Sequence, residues 1–269
     1  MILSFHESLA PDSFVNSYVG RSSGSITDPW IDREMEESQT VPWPPPDRAP
    51  SIKRRRVWSL LDRSVERFPA TLVQARAGHG KTFEIMQYVE TCPDTTWMSL
   101  NPTDSSWEKL AHRLSCHILD RSHGKDAEEL ASFAKEANTP NIARLFVDFL
   151  DACCEHNMGG KGLLVLDNFH NLYDAEWFVE MFKVLLSAAP KELHLIVISR
   201  SSPPGPLFRL RSKQVLNLID ENSIAFDVNE THELFREIGV PLALAETINQ
   251  RAFGNISKIL DEARPFIAE

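Results

Sequence analysis

The sequence predicts an α/β fold in which a parallel sheet is covered by helices on both faces. Short β-prone or apolar runs alternate with helical patterns along the middle of the chain. Two of these runs, Gly162–Asp167 and Leu193–Ser199, are apolar enough to be buried strands. A glycine-containing turn joins a third run, Ala70–Ala75, to the helical pattern that follows it. Such alternation is typical of a parallel sheet between two layers of helices.

The chain divides into three predicted segments. Residues 1–50 are mostly polar and end in a proline-rich stretch, which predicts a disordered lead and a stiff linker. Residues 51–215 contain the alternation, including a further strand at Thr96–Leu100. Residues 216–269 show helical patterns, which predict a small helical or winged-helix module at this end.

The charge balance argues against a nucleic-acid-binding surface, because 28 Lys and Arg stand against 38 Asp and Glu, a net charge of −10. The one basic run, Lys53–Arg56, fits a solvated helix start, a ligand-facing arginine or a nucleic-acid signal. No apolar stretch has the length of a membrane span, and the first residues are too few and too acidic for a signal peptide. We therefore expect a cytoplasmic protein that by itself binds neither DNA nor a membrane.

Residues 75–82 read ARAGHGKT, which is close to a phosphate-binding loop although Ala75 replaces the first glycine. Alanine is compatible with such a loop if its φ is negative, since glycine is needed where φ is positive. Loop amides and the helix start would bind phosphate oxygens, Lys81 would reach the β and γ phosphates, and Thr82 would bind Mg²⁺. A purely structural turn is the alternative. The predicted loop contacts are Ala77, Gly78, His79, Gly80, Lys81, Thr82 and Phe83.

Two further residues follow predicted strands. Asp167 ends an apolar run about 85 residues after the loop, where an acid would bind Mg²⁺ directly or through water. Arg200 follows the next strand and would contact the γ-phosphate or neutralise charge during transfer. The alternatives are a helix-capping Asp167 and a surface Arg200. Together these motifs predict a P-loop NTPase fold that binds ATP or ADP with Mg²⁺.

The order of motifs resembles the nucleotide-binding domain of the signal-transduction ATPases with numerous domains (STAND), in particular the MalT-like branch of large LuxR-type transcription regulators. That family's loop commonly reads Ala-Pro-Ala-Gly-aromatic-Gly-Lys-Thr, so Ala75 follows the family pattern. The resemblance covers about residues 52–260. Its other matching stretches are Arg54-x-Arg56, Trp97–Asn101, Leu164–His170, Ile198–Arg200 with Pro203 and Leu207, Leu210-Arg211, and Asn217–Phe226 with Glu230.

The resemblance implies a signal-transduction switch that binds ATP or ADP. It adds Arg54 and Arg211 to the nucleotide contacts, and it implies that Arg200 and Arg211 distinguish ATP from ADP. The family usually has an acid after the Mg²⁺ aspartate, whereas this chain has Asn168. We therefore expect weak ATPase activity at most, with Asp167, Asn168 and Arg200 as the catalytic candidates.

Other functions remain open at this stage. A competent ATPase and a degenerate interaction domain that binds no nucleotide are the alternatives, and a small-molecule kinase is less favoured. The sequence lacks an Asn-Lys-x-Asp guanine motif and a Leu-Ser-Gly-Gly-Gln signature, which disfavours a GTPase and an ABC-type ATPase. The family's helix-turn-helix has no counterpart in this sequence, so the expected partners are other protein domains or further copies of the chain.

Overall fold

The structure, a computed structural model, describes residues 52–92, 94–121, 125–154, 161–205 and 215–267. The predicted lead at 1–50 lies outside these ranges. The strands are β1 Ala70–Gln74, β2 Thr95–Ser99, β3 Gly162–Asp167, β4 Leu193–Ser199 and β5 Leu216–Ile219. The α-helices are α1 Arg55–Arg67, α2 Lys81–Val89, α3 Trp107–Arg121, α4 Ala127–Ala134, α5 Thr139–Cys154, α6 Phe178–Ala188, α7 Glu221–Ile224, α8 Val228–Ile238, α9 Ala245–Ala252 and α10 Ile256–Ala263.

The five strands form one parallel sheet in the order β2-β3-β4-β1-β5. This confirms the predicted α/β fold. Strand β5 differs from the expectation of helical patterns alone after residue 215. It has four residues and pairs with β1 from Leu216 opposite Ala70. So short a strand carries too little periodicity to be recognised, and its position is fixed by pairing with a strand far away in sequence.

Alternate strand residues enter two separate apolar layers, because successive side chains point to opposite faces of a sheet. Leu72, Leu164 and Leu195 pack in the larger layer with residues of α3, α5 and α6. Val73 and Val165 pack in the other layer with residues of α1 and α2. The sheet is therefore covered on both faces, and the helix that follows β1 lies on the second one.

The helices after β5 have an apolar core of their own. Buried residues of α8, α9 and α10 form this cluster, and Ile52 packs into it from before α1. Asp227 and Glu230 form a capping box that begins α8, and Gly239 ends that helix at φ 76°. We call α8, α9 and α10 the C-terminal module. Within the described residues, no helix combines the length and apolarity needed to cross a bilayer.

A buried polar network links α1 to the sheet. His194 of β4 is fully buried, with its Nε2 2.8 Å from Thr71 Oγ1 and its Nδ1 2.9 Å from the Phe68 carbonyl oxygen. Thr71 Oγ1 lies 2.5 Å from Ser64 Oγ, which accepts a 2.9 Å hydrogen bond from Asn217 Nδ2. Burial lowers the pKa of His194 to about 4, so its ring is neutral at physiological pH.

This burial predicts a pH-dependent stability. The folded-state pKa of His194 lies below its ordinary value of 6.5, so the unfolded chain binds the proton more tightly. Stability should therefore fall as the pH drops from about 6.5 towards 4, by up to about 3 kcal/mol for this group. The measurement is urea unfolding at a series of pH values for the parent, His194→Gln and the exposed control His112→Gln. We expect His194→Gln to flatten the profile relative to both other proteins, and parallel profiles would contradict the assignment.

Candidate nucleotide-binding site

The loop between β1 and α2 has the backbone that a phosphate-binding loop requires. Gly78 and Gly80 have φ values of 83° and 73°, which side-chain-bearing residues rarely adopt. Ala75 is not among the positive-φ residues, which explains why alanine is accepted at the first position. Its N–H donates to the Ser199 carbonyl at 3.3 Å, so the loop begins tied to the end of β4.

The backbone amides from Ala77 to Thr82 are unpaired within the described part of the protein. No backbone N–H from Ala77 to Thr82 donates to an acceptor there. Lys81 is 6% exposed, and its Nζ donates to the carbonyl oxygens of Ala75 at 2.6 Å and Arg76 at 3.0 Å. Burial, and secondly the charge of Arg200, lower the pKa of Lys81 to about 8. A run of free donors beside a buried cation is suited to an anion.

Thr82 and Asp167 form the oxygen-rich side of the site. The Thr82 hydroxyl donates to the two carboxylate oxygens of Asp167 at 3.3 and 3.2 Å. Asp167 is 4% exposed and also accepts the Asn168 backbone N–H at 2.8 Å. Burial raises the pKa of Asp167, while its hydrogen bonds and the charges of Arg200 and Lys81 act in the opposite direction. The side chains that sequence motifs placed 85 residues apart are therefore in contact.

Asn168 lies between this carboxylate and the end of β2. Its φ is 55°, and its Nδ2 makes a long 3.5 Å contact with Ser99 Oγ. It makes no side-chain hydrogen bond to the 3₁₀ helix that follows it, Phe169–Leu172. The Asn168 side chain therefore does not cap this helix.

Arg200 is exposed directly after β4, and its charge acts on Lys81 and Asp167. His170 was not predicted, but it lies within the same electrostatic environment. Burial lowers the pKa of His170, and Arg200 and Lys81 lower it further. Its Nδ1 is buried without a hydrogen-bond partner. The sequence signal for this residue was only its position three after Asp167.

Arg54 lies apart from the loop amides, in a buried cluster of charges. Its guanidinium is 2% exposed and pairs with Glu84 of α2 at 3.2 Å and Glu230 of α8 at 2.9 Å. These contacts give Arg54 a structural role between two helices, and a contact with nucleotide stays a prediction. Phe83 is 43% exposed on α2. Arg211 lies outside the described residues.

The C-terminal module packs directly on the loop. Asn255 Nδ2 donates to the Ala77 carbonyl at 3.0 Å, and the Ser257 N–H donates to the Gly78 carbonyl at 3.0 Å. His79 is buried with its Nδ1 3.2 Å from Asn255 Nδ2. On the other side, Arg76 forms a 2.5 Å ion pair with Glu221. These contacts with residues 145 or more positions away were not predicted.

Comparison with known proteins agrees with this geometry. No protein-family model matches the chain. The chain is 28% identical over 189 residues to the HTH-type transcriptional regulator MalT of Vibrio cholerae, which covers 70% of this chain and 20% of that protein. It is 26% identical over 207 residues to MalT of Yersinia pestis, which covers 76% of this chain and 21% of that protein. The chain thus spans about a fifth of the length of these relatives.

Among solved structures, a Walker-type ATPase of Pyrococcus abyssi aligns with a TM-score of 0.50 and 15% identity, covering 78% of this chain and 66% of the other. At that identity the likeness concerns the fold alone. It agrees with the parallel sheet and its helical layers. The described residues therefore have an α/β P-loop NTPase fold, and their sequence is similar to part of the MalT regulators.

Proposed function

We propose that this domain is an ATP/ADP-binding switch module of a MalT-like signal-transduction regulator, with slow or negligible hydrolysis. The observation that carries the proposal is the loop itself, in which the free amides of Ala77–Thr82 surround the buried Lys81. Phosphate groups are the ligand that such a run of donors at a helix start binds best. Calorimetric titration with Mg-ADP and Mg-ATP tests it. Saturable binding is expected, whereas no binding of either would favour the interaction domain without nucleotide.

The residues present also fit Mg²⁺. A hydroxyl and a carboxylate, from Thr82 and Asp167, are oxygen ligands of the kind this ion takes. Among the described residues, no group of three or more His, Cys, Asp or Glu side chains is arranged to hold a metal ion. The ion would therefore share its coordination with nucleotide phosphates, as is usual for Mg²⁺. When bound, it would neutralise phosphate charge next to Lys81.

Slow turnover follows from Asn168. Its amide can accept a hydrogen bond from water, but it cannot take up a proton or add negative charge. General-base assistance of this kind is worth about 10²- to 10⁴-fold in rate. Nucleotide affinity should depend little on Asn168, because Lys81, Thr82, Asp167 and the loop amides remain.

Asn168→Asp should therefore raise the single-turnover rate of ATP hydrolysis by about 10²-fold without tightening ATP binding. Asp tolerates the left-handed backbone at φ 55°, so the variant should keep the local structure. Asn168→Gly is the matched control, since it fits the same backbone but supplies no base. Brisk turnover by the parent, or no gain in Asn168→Asp, would remove this position from the mechanism, and brisk parent turnover would also favour a competent ATPase.

The switch role rests on the contact between the loop and the C-terminal module. Nucleotide exchange at the loop would act on a surface that the module already touches, through Ala77 and Gly78. Arg200, and by resemblance Arg211, would contact the γ-phosphate in the ATP form only. The MalT relatives are named as HTH-type transcriptional regulators. Because this chain has a net charge of −10, we propose other protein domains or further copies of the chain, in the cytoplasm, as its partners.

A further inference from the structure

Most carbonyl oxygens of the phosphate loop accept hydrogen bonds, whereas the amides from Ala77 to Thr82 donate none within the described residues. Each carbonyl from Ala75 to Gly80 except that of His79 accepts a hydrogen bond. Lys81 holds the first two, and the Glu84 N–H of α2 holds the Gly80 carbonyl at 2.9 Å. The two in the middle, those of Ala77 and Gly78, are held by the C-terminal module.

These two contacts fix the direction of two loop amides. A trans peptide unit points its C=O and its N–H in opposite directions. Holding the Ala77 carbonyl against the module therefore turns the Gly78 N–H away from it. In the same way, the bond from Ser257 to the Gly78 carbonyl turns the His79 N–H away from the module. The C-terminal module thus holds the loop in a conformation in which the Gly78 and His79 N–H groups point away from the module.

The Asn255 side chain is buried and has hydrogen-bond partners in both the module and the loop. It is 7% exposed and is the N-cap of α10, where its Oδ1 accepts the Lys258 N–H at 3.2 Å. Its Nδ2 lies 3.0 Å from the Ala77 carbonyl oxygen and 3.2 Å from His79 Nδ1. A single side chain therefore caps a helix of the module with one end and reaches the phosphate loop with the other.

The phosphate loop and the residues around Asn255 are closely packed against each other. A Cβ placed on Gly78 would come within 2.7 Å of Asn255 Oδ1, and one placed on Gly80 would lie 3.1 Å from Ile256 Cγ2. A Cβ on Gly254, just before Asn255, would lie 2.6 Å from the Phe226 carbonyl oxygen. The glycines on both sides of this contact permit the close approach, so the position of Asn255 against the loop is tightly determined.

We infer that Asn255 is a positioning residue for phosphate binding, through which the C-terminal module completes the nucleotide site. The inference rests on the proposed function and extends it, because it assigns part of the nucleotide affinity to a residue 178 positions from its loop partner. Without the Asn255 amide the Ala77–Gly78 peptide can rotate, and binding must then reorder a loop that the parent presents already ordered.

Asn255→Ser separates this role from helix capping, because serine is an equally good N-cap but is too short to reach the Ala77 carbonyl. Loss of one such hydrogen bond should weaken ADP and pyrophosphate binding about tenfold. Asp261→Ala is the matched control, since Asp261 is an exposed residue of α10 whose ion pair is with Arg264, and this variant should bind as the parent does. Asn255→Asp is a second variant, which keeps the cap, lacks the donor and should also bind weakly.

The measurement is calorimetric titration with Mg-ADP and with pyrophosphate, paired with thermal unfolding of the ligand-free proteins. The inference requires that the Asn255 variants lose about tenfold in affinity for both ligands at temperatures where all variants are folded. It also requires near-parent melting of Asp261→Ala and Asn255→Ser. A merely structural role would lower the melting temperature while leaving the affinity of the folded protein unchanged, which overturns the inference. Parent-like affinity in both Asn255 variants overturns it while the proposed function stands, whereas a parent that binds neither ligand removes both.

Discussion

Lys81→Ala is expected to weaken binding of Mg-ATP and Mg-ADP by about 2–5 kcal/mol, or from about 30-fold to more than 10³-fold. Lys81 is 6% exposed, so its contact with a phosphate would be a buried, charge-assisted hydrogen bond. Its Nζ already lies over the loop, bonded to the carbonyl oxygens of Ala75 and Arg76. Removing the amine leaves the loop amides in place but takes away the buried positive charge beside them.

Calorimetric titration of the parent and the variant measures this loss. Lys183→Ala is a suitable control, because Lys183 is an exposed residue of α6 paired only with Glu180 of the same helix. Its affinity for nucleotide should equal that of the parent. Equal affinity in Lys81→Ala would contradict the assignment of ARAGHGKT as a phosphate loop. Thermal unfolding of the ligand-free variant shows whether its loop still belongs to a folded domain.

Arg54→Met should destabilise the domain by about 3–5 kcal/mol, because it leaves two buried carboxylates without their cation. Glu84 and Glu230 have side chains that are 3% and 9% exposed, and both pair with the Arg54 guanidinium. The same group donates to the carbonyl oxygens of Ile224 at 2.7 Å and Ala225 at 3.0 Å. It also lies 4.0 Å from the centre of the Phe226 ring.

The burial of Glu84 determines how the destabilisation caused by Arg54→Met depends on pH. It raises the pKa of this carboxyl to about 7, although Arg54 acts in the opposite direction. Without Arg54 the pKa of Glu84 must rise further, so folding of the variant should be linked to proton uptake. The loss of stability should therefore be smaller at low pH than at high pH.

Urea unfolding of Arg54→Met, Arg54→Lys and the neighbouring Arg55→Met measures the effect. Arg55 is exposed on α1, so its substitution should change stability by no more than about 0.5 kcal/mol. Arg54→Lys keeps the charge but cannot make the forked contacts, and an intermediate loss is expected. Equal stability of Arg54→Met and Arg55→Met would show that the buried ion pairs do not hold α2 and α8 together.

The sequence predicted those parts of the site that local patterns encode. The loop and Arg200 each follow a strand whose apolar pattern is visible, and Asp167 ends such a strand. Parallel strands bring these ends to one edge of the sheet. Strand order was not predicted, and β4 lies between β1 and β3. Although β4 separates β1 from β3 in the sheet, the Thr82 hydroxyl and the Asp167 carboxylate are in hydrogen-bond contact at the edge of the sheet.

Contacts over long sequence distances were not predicted. The pairing of Arg54 with Glu230, 176 positions away, was not predicted, and its contact with nucleotide stays a prediction. Nothing in the sequence around Asn255 predicted its contact with Ala77. No periodicity or motif encodes such pairs, since they depend on how the C-terminal module packs on the loop. The same packing explains why His79 is buried although a loop residue is usually exposed.

Identification of the nucleotide that the protein retains tests nucleotide binding most directly. The purified protein is desalted, denatured and analysed by mass spectrometry for the small molecules it releases, with Lys81→Ala treated in parallel. The proposed function predicts ADP or ATP in the parent preparation at close to one per chain, and far less in Lys81→Ala. Equal amounts in the two preparations, or a parent that releases no nucleotide and binds none when it is added back, would contradict it.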